Sequence, residues 1–99
     1  MKKLLVIIAL HASIASVGQT VNIRVDSIVN FGTQEFLARN FEAAFDATFE
    51  AIRIAPKNPK GYFLRAVIAS KIELYDDAID DFTEVILLDS LISDAWYNR

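Results

Sequence analysis

The chain has 99 residues, ten basic and thirteen acidic, and a formal net charge of −3. That length holds one small domain, and 54% apolar with 23% charged residues excludes both a disordered tail and a polycation drawn to nucleic acid or anionic lipid. With no cysteine and one histidine (His11) it has no disulfide, thiolate metal site, Cys nucleophile or imidazole metal cluster, and three glycines with two prolines are too few for a turn-rich β-sandwich.

The first element is a leader. Met1-Lys2-Lys3 is a positive start, Leu4 to Leu10 is an unbroken apolar run, and small and polar residues follow up to Gln19. This is the pattern of a secretory signal peptide. Residues 1–18 are expected to be removed by cleavage between Gly18 and Gln19, where Ser16 and Gly18 supply the small side chains, with Ala15 as the second choice. The competing reading is an uncleaved anchor, for which Met1 to Val17 lies at the lower limit of spanning length. A buried core helix fits less well, because both lysines stand at its start. Loss of Lys2 and Lys3 leaves eight basic against thirteen acidic residues, a balance of −5. The expected location is therefore periplasmic or extracellular, with no membrane association after cleavage; His11 leaves with the leader.

Helical spacing governs the rest. From Asp26 to Ala38, Ile28, Phe31, Phe36 and Leu37 recur near a helical period, with Asp26 or Ser27 as N-cap. Asn40 interrupts this run. Phe41, Phe45, Phe49 and Ile52 then mark one face of a second helix, which ends near Ile54 because Pro56 disfavours α geometry in the residue before it. Pro56-Lys57-Asn58-Pro59 is a connector, and Pro59 suits a first helical turn. A third helix over Pro59 to Ile72 carries Tyr62, Phe63, Ala66, Val67 and Ala69. A fourth over Tyr75 to Leu88 turns Ala78, Ile79, Phe82, Val85 and Ile86 inward, and Asp94 is expected to open a fifth.

Displaced by 34 residues, the chain matches itself. Ile28 falls on Tyr62 and Tyr62 on Trp96; Gly32 falls on Ala66, Phe41 on Tyr75, Ala44 on Ala78, Ala51 on Val85, Ile52 on Ile86 and Ile54 on Leu88. Glu42 falls on Asp76, Glu50 on Glu84, and Pro56 on Ser90. A fixed period of this length signals stacked helical repeats in place of a single closed core.

These residues resemble the tetratricopeptide repeat, over about Val25 to Arg99. The marks are the small residues Gly32, Ala66, Ala44 and Ala78 at helix contacts, Phe41 and Tyr75 opening each second helix, Phe82 in the inter-repeat slot and Pro56 closing the unit. The sequence departs from the pattern at Thr48, which stands where Phe82 stands in the next unit with Phe49 beside it, and at Glu35 and Ser90. The resemblance implies an all-α fold of antiparallel helix pairs stacked as a right-handed solenoid, with units near 25–58, 59–92 and a partial 93–99. About three units are ordinarily needed for independent stability. The sequence therefore reads as a fragment of a longer array, whose uncapped end exposes Leu88, Leu91, Ile92, Trp96 and Tyr97. The alternative is a short protein that covers this end with a partner or a second copy of itself.

Nothing in the sequence signals catalysis, a cofactor or a metal. The cluster Asp76, Asp77, Asp80, Asp81 and Glu84 has neither the loop nor the Gly turn of a calcium site, and reads as a solvated face with favourable charge at a helix start. Glu35 stands alone, with Arg39 one turn later as its expected partner. The series Phe31, Phe36, Phe41, Phe45 and Phe49 reads as core, Phe36 being the one that could face a ligand. The resemblance implies a concave groove lined by Asp26, Val29, Thr33 and Phe36 from one first helix and Lys60, Phe63, Val67 and Ser70 from the next. Val29, Thr33, Phe63 and Val67 are the wrong residues for the carboxylate clamp found in part of that family. An extended or helical segment with apolar anchors fits better. The expected function is non-enzymatic protein or peptide binding in this groove; the alternative is an N-terminal repeat module of a larger exported enzyme or sensor, active beyond Arg99.

Overall fold

A computed structural model describes the backbone of residues 2–97 and the side chains of residues 18–90. The described chain is all-α. Helix α1 spans Lys2–Leu37, α2 Phe41–Ile54, α3 Pro59–Lys71 and α4 Tyr75–Tyr97. The side chains of the expected leader before Gly18, and those of Leu91, Ile92, Asp94, Trp96 and Tyr97, lie outside the described residues, as do Asn98 and Arg99 altogether.

Two boundaries differ from expectation. Asp26 and Ser27 are not N-caps, because α1 is one helix of 36 residues running through them. No proline interrupts this stretch, and a lone glycine such as Gly18 costs only about 1 kcal/mol in a helix, too little to end one already propagating. Likewise α4 does not stop near Leu88 with a new helix at Asp94; it continues without a break to Tyr97. Ser90 replaces the proline that closes α2, and Tyr75 to Tyr97 contains neither proline nor glycine.

The connections are closed by local backbone chemistry. Asn58 Oδ1 accepts a hydrogen bond from Lys60 N (3.0 Å), and Pro59 occupies the first turn, where its missing N–H is not needed. Tyr62 Oη donates to the Pro56 carbonyl at 3.0 Å and ties α3 back to this connector. After α1 the chain reverses at Arg39 (φ 66°), with Asn40 N donating to Glu35 O at 2.8 Å. After α3 it reverses at Glu73 (φ 68°), with Leu74 N donating to Ala69 O at 2.8 Å. Both are left-handed helix caps whose six-to-one bond satisfies a terminal carbonyl. They stand one sequence period apart, and neither uses the glycine that would announce it.

Helix α1 packs on α2, α2 on α3, α3 on α4, and α1 also on α3; among the described residues no other helices pack directly. Ala44, Leu64 and Ile68 form the centre, with Val29, Phe36, Phe41 and Phe45 packed around it. A Cβ on Gly32 would lie 2.8 Å from Leu64 Cδ2 and 3.0 Å from Ala47 Cβ, so the absent side chain sets how closely the helices approach. Ala44, Ala66 and Ala78 are buried as expected. The expected inward or core positions Phe31, Phe49, Ile79 and Ile86 are instead exposed, whereas Leu88, expected at the open end, is buried. The radius of gyration, 17.3 Å, exceeds the roughly 13 Å of a compact chain of this size, and the longest dimension is 61 Å. Most of that length is α1 itself, about 54 Å at 1.5 Å per residue.

Candidate functional site

The contact of α1 with α3 creates a cavity of about 440 Å³, which α4 closes on one side through Val85. Six of the eight expected groove residues line it: Val29, Thr33 and Phe36 from α1, and Lys60, Phe63 and Val67 from α3. Spacing of three and four along each helix puts them on one face. Leu37, Pro59, Leu64 and Val85 complete the wall; of these, Leu37 is exposed at the mouth.

The remaining two expected residues have other places. Asp26 stands at the rim, where Lys60 Nζ donates to its carboxylate across the two helices. Both side chains are about half exposed, so this pair orients the rim more than it stabilises the fold. Ser70 does not line the cavity, and its carbonyl accepts from Glu73 N in the turn after α3.

The interior is chemically plain. Thr33 and Lys60 are the only polar side chains in the wall. Thr33 Oγ1 donates to the Val29 carbonyl at 2.8 Å, and Lys60 is held by Asp26. Among the described residues no buried side-chain nitrogen or oxygen lacks a hydrogen-bond partner, and no group of three His, Cys, Asp or Glu side chains is placed to hold a metal ion. A space of this kind receives apolar groups and excludes ions. Phe63 forms an edge-to-face pair with Phe82 (centroids 5.8 Å apart) while more than half of its surface stays open, which fixes an aromatic anchor without covering it.

On the opposite side, sequence reasoning missed a buried ion pair. Asp81 was expected in a solvated face, but it is only 7% exposed and accepts two hydrogen bonds from Arg65, Nε to Oδ2 and Nη2 to Oδ1, both 2.8 Å. The fork geometry and the bond to Asp81 hold the guanidinium pKa above its ordinary value, against the opposing effect of burial. The same guanidinium lies 5.3 Å from the Phe49 ring and 5.7 Å from that of Tyr62. Phe49 therefore serves as a platform for a cation and does not compensate for Thr48. Thr48 itself is fully buried, with its hydroxyl satisfied by the Phe45 carbonyl at 2.7 Å. One sequence signal pointed to Asp81: it stands three residues after Ala78 and four before Val85, on the inward stripe of α4. Asp76, Asp77 and Asp80 do lie in solvent. Glu35 Oε2 accepts from Asn40 Nδ2 at 2.8 Å, where Arg39 had been expected as its partner.

Among the described residues no helix is long and apolar enough to cross a membrane. Comparison with protein-family models, with curated proteins and with solved structures finds no match to this chain.

Proposed function

We propose that the chain is an exported, non-enzymatic binding protein of tetratricopeptide-like helix pairs, and that an apolar segment of a partner protein or peptide occupies the groove between α1 and α3. The observation that carries this reading is the cavity wall: six of the groove residues that the family resemblance implies meet around one space, and both polar side chains there are already bonded. The order of helix contacts, with α1 on α3 as well as on α2, is what stacked pairs require and supports the repeat reading. The charged start and apolar run of residues 1–18 support export.

An amphipathic helical peptide with Leu or Phe at positions i, i+4 and i+7 is the appropriate probe, read by fluorescence anisotropy. Phe63→Ala is expected to weaken its binding at least tenfold, a loss of about 1.4 kcal/mol, while the helical circular dichroism and thermal midpoint stay near those of the parent. Phe36→Ala should weaken binding too, with some loss of stability because Phe36 also packs on the core. Unchanged affinity in Phe63→Ala would remove the groove as the binding site.

A further inference from the structure

The outward face of α4 has the same pattern as the face of α2 on which α3 lies, a face whose Phe49 nevertheless stays 55% exposed. On α2 the stripe is Phe45, Phe49 and Ile52, with Glu42 and Asp46 beside it. Helix α3 lies on that stripe: Phe45 packs against the cluster that Leu64 and Ile68 form with Ala44, Arg65 sits over Phe49, and Gly61 fits against Ile52, where an added Cβ would come within 2.9 Å. One period later α4 presents Ile79, Thr83 and Ile86, beside Asp76 and Asp80. Here, among the described residues, nothing covers the stripe. Ile79 is 60% and Ile86 64% exposed, and Thr83 donates its hydroxyl to the Ile79 carbonyl at 2.7 Å, which satisfies the polar group of the stripe within the helix.

Charge identifies what fits. From Tyr75 to Ser90, α4 carries Asp76, Asp77, Asp80, Asp81, Glu84 and Asp89 and no basic residue, and Arg65 hydrogen-bonds Asp81, the buried one. By helical geometry Asp76 and Asp80 border the stripe on one side and Asp89 on the other, all three exposed. A second α4 placed face to face would juxtapose these acids, which disfavours a symmetric pair of copies. Helix α3 on the equivalent stripe carries Lys60, Arg65 and Lys71 and no acid. Of these, Lys60 pairs with Asp26 of α1 and Arg65 with Asp81 of α4, so it is the exposed acidic border of the α4 stripe itself that selects a basic partner. We infer that the Ile79–Thr83–Ile86 face of α4 is a second docking surface, separate from the groove, for a basic amphipathic helix seated as α3 is seated on α2. Such a helix places a small residue against Ile86, as Gly61 is placed against Ile52, and sets lysine or arginine beside Asp76, Asp80 and Asp89.

The probe is a synthetic peptide with the sequence of residues 59–71, added to the ¹⁵N-labelled full chain up to millimolar concentration. The expected result is saturable shifts centred on Ile79, Thr83 and Ile86, at least tenfold weaker for a peptide with its three basic residues replaced by Glu, and weakened several-fold by 0.5 M salt as screening of surface charge requires. The Ile79→Ser/Ile86→Ser variant changes only exposed side chains, and an unchanged thermal melt confirms its fold. It should lose these shifts while binding the groove peptide as the parent does. Shifts centred on Phe63 and Val67, equal binding of the Glu-substituted peptide, binding retained in the double variant, or no saturable shift would each overturn the proposal. So would concentration-dependent self-association abolished by the double variant, which would make a second copy the occupant.

Discussion

Where α1 meets α2, Gly32 lies against Ala47 with no room for a side chain between them. One period later Ala66 and Asp81 hold those positions, and Asp81 is bonded to Arg65, which itself stands where the first pair has Phe31. The first pair is thus joined by an apolar close approach and leaves its phenylalanine in solvent. The second is joined by a forked ion pair that takes its cation from the same register position. Positions one sequence period apart therefore do not carry equivalent chemistry. The reason is their neighbours: α3 packs against α1, α2 and α4, whereas among the described residues Phe31 on α1 stays 55% exposed.

The sharpest contrast is between Ile68 and its period equivalent Gln34. Ile68 is fully buried between the pairs, whereas Gln34 is exposed on α1. Ile68→Ala is expected to destabilise the chain by about 3 kcal/mol through lost burial and a residual cavity. Gln34→Ala should stay within roughly 0.5 kcal/mol of the parent. Urea titrations of both variants test this, and similar losses would show that the two pairs share the core equally.

The ion pair comes next. Asp81→Ala strands a guanidinium that is only a quarter exposed, and should cost about 2 kcal/mol, below the range of fully buried pairs because water still reaches Arg65. Giving the second pair the residues of the first, Arg65→Phe with Asp81→Ala, removes both charges together and should recover at least about half of that loss. A double variant as unstable as the sum of the single ones would mean that Arg65 contributes mainly through packing on Phe49 and Tyr62.

These contrasts show what could be read in advance. The all-α class and the bounds of α2 followed from spacing, because helical period and the 34-residue offset are one-dimensional properties of a chain, whereas the six residues of the groove wall came from the family resemblance laid over that spacing. Whether Phe31, Phe49, Ile79 and Ile86 are covered depends on which helix lies outside them, and spacing carries no such information. Asp81 was lost to composition, since five acids in one short stretch look like solvated surface until the inward register of the one beside Phe82 is traced. The start of α1 and the end of α4 were misplaced for a simpler reason: charge at Asp26 and Asp94 suggests a cap, but with no proline to stop it a helix continues through a favourable capping residue.

The smallest expected effect concerns the two turns, where the pairs agree. Arg39 and Glu73 both hold positive φ, a conformation that costs an L-residue with a Cβ about 1 kcal/mol and costs glycine almost nothing. Glycine also loses more backbone freedom on folding, which offsets part of the gain. Arg39→Gly and Glu73→Gly are each expected to stabilise the chain by roughly 0.5 kcal/mol, raising the urea midpoint without changing the slope. Both side chains are exposed, so neither substitution disturbs the core. Equal gains would show that the turns are true equivalents under the same strain. A gain at Glu73 alone would locate a difference in the first turn, where Asn40 already bonds the Glu35 carboxylate and braces the reversal from its side-chain face.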